Sequence, residues 1–212
     1  MKRTLLLLPL TLAICSCDPM QQQACEEGAA LFNAKQYELA LPLLNQAAEA
    51  GNADAQLLLA QCYDFGYGVK TDMGKAVALY TAAAEAGNAK AQDSLGSCYA
   101  TGAGVKKDLR KAYQLYSQAA LQENPSAYNN LGLCYRNGEG VAEDVQKAVY
   151  YFKQAATLGN ANGQYNLGRC YFHGIGVPVD LDQARFWIAR AAAQKHANAI
   201  GFMEDNDWPL LP

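Results

Sequence analysis

From residue 53 onward the apolar positions come in blocks. Ala55, Leu59, Cys62 and Tyr63 share one helical face, and Leu59, Cys62 and Tyr63 return as Leu95, Cys98 and Tyr99, as Leu131, Cys134 and Tyr135, and as Leu167, Cys170 and Tyr171, always 36 residues apart. That spacing predicts a first helix over 53–65. A second block, Ala76, Leu79, Tyr80 and the Ala83-Ala84 pair, predicts a second helix that ends at Gly87-Asn88. Between the two lie Gly66, Gly68, Val69 and Asp72, and this set recurs in the same phase as Gly102, Gly104, Val105 and Asp108, then 138–144, then 174–180. Gly66 can take the left-handed conformation that ends a helix, and Asp72 can cap the next one by accepting from an orphan amide. The unit is helix, glycine-rich turn, helix, and a repeat of this length with helical patterning predicts an all-α solenoid.

The phase extends in both directions. Ala40, Leu44, Ala47 and Gly51 match Ala76, Tyr80, Ala83 and Gly87, whereas Gly28 lies 34 residues before Cys62, which predicts a first turn two residues shorter. Downstream, His196 to Asp205 predicts one more helix that closes the open core. Gly163 stands where the other units have alanine, and Glu123 and Lys195 stand at helix-ending glycine positions, which leaves the local turn geometry open there.

The first residues read as an address. Lys2 and Arg3 precede an apolar run from Leu5 to Ile14 that is interrupted only by Pro9 and Thr11 and is too short to span a bilayer. Ile14-Cys15-Ser16-Cys17 resembles the bacterial lipobox, which implies lipid attachment at Cys17, with an ordinary secretory signal as the alternative. Asp18 resembles a retention signal for the inner membrane, and the outer membrane stays open. The expected organisation is a signal peptide over 1–16, a tether over 17–24, a first helix pair over 25–52, four repeats over 53–195, and a closing helix and tail over 196–212.

Composition narrows the partners. The 212 residues are 51% hydrophobic with a formal net charge of −3, which suits one continuous folded unit. Loss of Lys2 and Arg3 would take the mature chain to about −5, so nucleic acid is not an expected partner.

The pattern Leu-Gly-x-Cys-Tyr, two residues, Gly-x-Gly-Val, then Asp and Ala-Ala resembles the Sel1-like repeat, a relative of the tetratricopeptide repeat, over four units from 53 to 195. The segment 25–52 resembles the shorter tetratricopeptide form. The resemblance implies a right-handed α-solenoid that holds other proteins on the face of its first helices. The positions on that face that vary among copies are Leu57, Gln61 and Asp64; Asp93, Ser97 and Ala100; Asn129, Leu133 and Arg136; and Tyr165, Arg169 and Phe172. Their i, i+4, i+7 spacing puts each set on one side of its helix. They are the candidate protein-binding strip, although Tyr165 and Phe172 could equally pack under the closing helix.

Five cysteines remain in the expected mature chain besides Cys17: Cys25, Cys62, Cys98, Cys134 and Cys170. Cysteine-rich relatives of the family carry two per repeat and bridge the paired helices, but each full unit here has one. Equivalent points in stacked helices should lie about 8 to 10 Å apart, too far for a disulfide, so the four repeat cysteines are expected as buried thiols rather than metal ligands. The only histidines are His173 and His196, and no catalytic motif, cofactor loop or metal set is present. The expectation is a non-enzymatic, membrane-tethered, periplasm-facing scaffold whose partner is a protein, with an immunity protein against a secreted toxin as its sharper form. The alternatives that the family implies are a β-lactam-binding or hydrolysing enzyme and a passive envelope component.

Overall fold

Every polar hinge in the repeat becomes a helix boundary. The computed structural model describes residues 19–208, which form α1 Pro19–Asn33, α2 Tyr37–Glu49, α3 Ala53–Phe65, α4 Met73–Glu85, α5 Ala89–Thr101, α6 Leu109–Ala120, α7 Pro125–Asn137, α8 Val145–Thr157, α9 Ala161–His173, α10 Leu181–Ala193 and α11 Ala197–Asp205. No strand occurs among the described residues. Each helix packs on its neighbours in sequence, and α1 meets α3 as α7 meets α9, the arrangement of an α-solenoid. The expected signal peptide, Cys17 and Asp18 lie outside the described residues, as do residues 209–212. The segment expected as a tether over 17–24 is helical from Pro19, because Ala24 and Cys25 are already buried with Leu44 and Leu59 in the first core cluster.

The caps fall where the side-chain chemistry puts them. Asn52, Asn88, Asn124 and Asn160 accept from the third helical amide of α3, α5, α7 and α9, and Asp72, Asp108, Asp144 and Asp180 do so for α4, α6, α8 and α10. Each such cap stabilises by about 1 kcal/mol. The turns are clamped as well: the amide of each capping Asp donates back to the carbonyl of Tyr63, Tyr99, Tyr135 or Tyr171. Gly68, Gly104, Gly140 and Gly176 have φ near 70° and abut the first turn of the preceding unit's second helix, so that a Cβ at Gly176 would lie 2.7 Å from the Val145 carbonyl oxygen. The glycine therefore serves both its own turn and the joint between units.

Where glycine is missing the backbone holds its course. Glu123 and Lys195 adopt φ of 57° and 62°, and the following amides of Asn124 and His196 still bond Ala119 and Ala191 as Asn88 bonds Ala83. Gly163 has a steric reason, since a Cβ there would collide with Ala155. The first connection occupies only 34–36, against 66–72 in the next unit, a larger deficit than the two residues expected from glycine spacing. Here α1 runs on to Asn33 and the chain turns through Lys35 at φ 60°.

Large side chains of the second helices fill gaps left by small ones on the first. Tyr80, Tyr116, Phe152 and Ile188, all buried, sit at one repeat position. Tyr116, Phe152 and Ile188 pack directly onto Gly96, Gly132 and Gly168. Cys62, Cys98, Cys134 and Cys170 are buried thiols with no disulfide between them, and burial pushes each pKa up to about 11. Cys25 is also buried and donates to Asn52 Oδ1 at 3.2 Å.

Candidate functional site

The first-helix face is built on two sets of contacts. At Asp93, Asn129 and Tyr165, three of the four copies of position 57, the side chain meets the residue 37 further on, in the next unit. Asn130 Nδ2 donates to Asp93 Oδ1 at 2.8 Å, Asn166 Nδ2 donates to Asn129 Oδ1 at 2.8 Å, and Tyr165 meets Phe202 edge-on at 6.3 Å. Simple helix-face counting on one unit treats these positions as free; stacking makes them rungs between units. Leu57 and Asn129 are accordingly buried, at 4% and 6% exposure, and they do not present side chains to a partner. Tyr165 and Phe172 are engaged by the closing helix: Phe172 lies 5.0 Å from Phe202 and 5.8 Å from Trp208. They are not the open aromatic anchors that the strip reading expects.

The second set links position 61 or 64 to the buried aromatic on the paired helix. The Tyr80 hydroxyl donates to Asp64 Oδ2 at 3.0 Å, and Ser97 Oγ and the Tyr116 hydroxyl lie 3.2 Å apart. Phe152 has no hydroxyl, and Arg136 lies over its ring at 5.9 Å instead. Arg169 lies over Tyr165 at 5.8 Å. In three units a strip residue thus meets the aromatic beneath it, Asp64 with Tyr80, Ser97 with Tyr116 and Arg136 with Phe152. Asn130, Asn166 and Phe202 are partners that the sequence reading did not single out; the 37-residue pairing of polar positions is the signal that could have found the two asparagines.

What remains open is a groove. Gln61, Asp64, Asp93 and Ser97, all on the candidate strip, line one cavity of about 310 Å³ with Tyr80 and Thr101. Burial pushes the Asp93 carboxyl up to about 6, and the hydrogen bond from Asn130 only partly offsets this. Further along, Leu133 packs against the core cluster around Phe152, while the charges of Arg136 and Arg169 both reach Cys170. The structure therefore brings the strip together in two parts: a polar, acidic groove across α3 and α5, and a basic stretch on α7 and α9. Ala100 is half-buried among the aromatic and alanine packing around Tyr116. His173 is exposed beside Phe172.

The sequence model described as Sel1 repeat matches residues 22–52, 53–88, 89–124, 125–160 and 161–196. The chain belongs to the Sel1 repeat family. The Sel1 match takes in the first helix pair, so 22–52 is a fifth Sel1 repeat and not only a tetratricopeptide-like lead-in. Among solved structures, a Sel1 repeat protein from Oxalobacter formigenes is 33% identical, with a TM-score of 0.78, covering 84% of this chain and 73% of that one. A protective antigen of uropathogenic Escherichia coli with an SLR fold is 31% identical, TM-score 0.73, covering 91% of this chain; this chain spans only 43% of the antigen. An immunity protein from Pseudomonas aeruginosa is 26% identical, TM-score 0.60, covering 86% of this chain and 69% of that one. No curated protein matches the sequence. As a Sel1-repeat solenoid, the protein is a scaffold of the kind that binds other proteins. No helix among the described residues is long and apolar enough to cross a membrane.

Proposed function

We propose that this Sel1-repeat protein is a lipid-anchored, periplasm-facing scaffold that holds one protein partner on its first-helix face, and that the partner is a secreted toxin which it neutralises. The observation that carries the binding face is the groove across α3 and α5, where Asp93 keeps a half-buried carboxylate although its counterpart Asn129 makes the same inter-unit hydrogen bond without charge. A fold requirement alone would be met by asparagine, which supports a role for the carboxylate toward a partner. The structural likeness to an immunity protein supports the neutralising role. The lipobox-like Ile14-Cys15-Ser16-Cys17 supports the anchor, since diacylation gives stable attachment where a single chain does not.

The test is protection. Cells that express in their periplasm a toxin which co-purifies with the chain should survive when the chain is co-expressed and should die when it carries Asp93→Lys with Ser97→Arg, a pair that fills the groove with opposite charge. Equal survival with the altered chain would move the site elsewhere, and death in both cases would remove the immunity role. A Cys17→Ala variant should leave the membrane fraction, and unchanged fractionation would refute the anchor.

A further inference from the structure

The groove and the basic stretch lie on one helix face, and the four charges at the strip positions, Asp64, Asp93, Arg136 and Arg169, are sorted by sign. Asp64 and Asp93 sit together on α3 and α5: they line one cavity, and their charges act on the neighbouring Cys98 and Tyr116. Arg136 and Arg169 sit together on α7 and α9, close enough that both act on the Cys170 thiol. Among the described residues the ion pairs within 4.0 Å are Lys75 with Asp72 and Lys147 with Asp144, both on the turns, so none of these four strip charges is neutralised by the chain itself. Two carboxylates at one end and two guanidiniums at the other, each set without a counter-ion, repel within each set and attract a ligand of the opposite order.

We infer that the first-helix face takes a dipolar polypeptide segment of the partner, with a basic side chain seated between Asp64 and Asp93 and an acidic side chain or chain end on Arg136 and Arg169. This rests on the proposed use of that face as the binding site. Adjacent first helices stacked about 8 to 10 Å apart put the two charged sets about 16 to 20 Å from each other, which an extended segment of about five or six residues spans. Each guanidinium lies about 6 Å from an aromatic centroid, at 5.9 Å for Arg136 and 5.8 Å for Arg169, and Arg136 Nε donates to Asn137 Oδ1, so the terminal N–H groups are the ones that would meet a carboxylate.

The experiment uses the mature chain and a displayed library of random dodecapeptides as the probe. Enriched peptides should carry Lys or Arg at one end and Asp or Glu at the other. A synthetic peptide of that kind should bind at least tenfold more tightly than an isomer of identical composition with alternating charges. Asp93→Asn and Arg169→Gln, checked for unchanged helical content, should each weaken the dipolar peptide at least fivefold and flatten its salt dependence. If peptides compete at this face but the alternating isomer binds equally well, the polarity inference is overturned while the face remains the binding site. If no enriched peptide responds to either substitution, both fall. If the chain self-associates in sedimentation and the same two substitutions abolish it, the occupant is a second copy, and the inference of a foreign segment is overturned.

Discussion

Gln122 Nε2 donates to Gln92 Oε1 within one repeat at 2.9 Å, and Gln194 does the same for Gln164 at 2.8 Å. In both cases the buried glutamine also donates to a carbonyl at the end of the preceding second helix, Ala84 or Ala156. Gln56 makes the equivalent bond to Ala48, but its Oε1 has no partner, because the position that supplies glutamine elsewhere is Ala86. Ala86→Gln should complete the set. The expected gain is about 1 kcal/mol, read as a raised urea midpoint with an unchanged slope; an unaltered midpoint would show that water already serves Gln56.

One substitution should have opposite signs at two helical glycines. A Cβ at Gly132 would come within 2.5 Å of the Phe152 ring, whereas nothing lies within 4 Å at Gly201. Alanine improves helix propensity by about 1 kcal/mol at either site, but overpacking costs about 1 to 3 kcal/mol. Gly132→Ala should therefore lower the melting temperature and Gly201→Ala should raise it.

At residues 123 and 195 the left-handed turn is made without glycine. A non-glycine residue pays about 1 to 2 kcal/mol there, against about 0.5 to 1 kcal/mol of extra chain entropy lost by glycine. Glu123→Gly and Lys195→Gly should each stabilise by a few tenths to about 1 kcal/mol in chemical denaturation, with no change in helical content.

His196 makes the closing helix sensitive to acid. Its Nδ1 accepts from the Ala199 amide at 3.1 Å, so Nε2 carries the proton and donates to Asn162 Oδ1 at 2.9 Å. Burial lowers its pKa below 6.5, and its surroundings are the Tyr165 ring, Asn162 and the preceding Lys195, none of which offers a negative charge. The unfolded chain binds the proton more readily, so this contribution is fully present above pH 6.5 and is lost as pH falls through the lower folded value. His196→Asn should remove that acid-side loss, and Trp208 fluorescence should report it, because Trp208 packs on Phe202 of α11.

Asp93 acts with the opposite sign. A carboxyl raised from 3.8 to about 6 is at no disadvantage below pH 3.8, and its penalty grows as pH rises from 3.8 and is complete above 6. Asp93→Asn should leave stability unchanged near pH 4 and increase it by about 1 to 2 kcal/mol at pH 7.5, allowing for partial exposure. A gain in stability coupled to a loss of binding would mark it as a functional residue.

The repeat, its helix limits and its caps were legible in the sequence because each rests on contacts inside one unit: Asp72 caps α4 and Gly66 ends α3 whatever lies beyond. The candidate strip was only half legible. Gln61, Asp64, Asp93 and Ser97 do converge on one groove, but a helical wheel contains no neighbour, so it places Leu57 and Asn129 outward and leaves Tyr165 and Phe172 open between the strip and the closing helix; the unit that stacks next decides all four. The aromatic beneath each strip residue, Tyr80 or Phe152, is likewise visible only once the two helices are paired.

The 37-residue rungs and the asparagine caps together mean that no unit is a keystone. Removing residues 89–124 would join Asn88 to Pro125, where Asn88 could cap α7 as it now caps α5. The new joint would match every other in phase. Such a shortened chain should still fold, yet it would have lost Asp93 and with it half of the acidic groove. Length and recognition can therefore be edited one unit at a time, so copies of this gene that differ in repeat number would differ in what they grip before they differ in whether they stand.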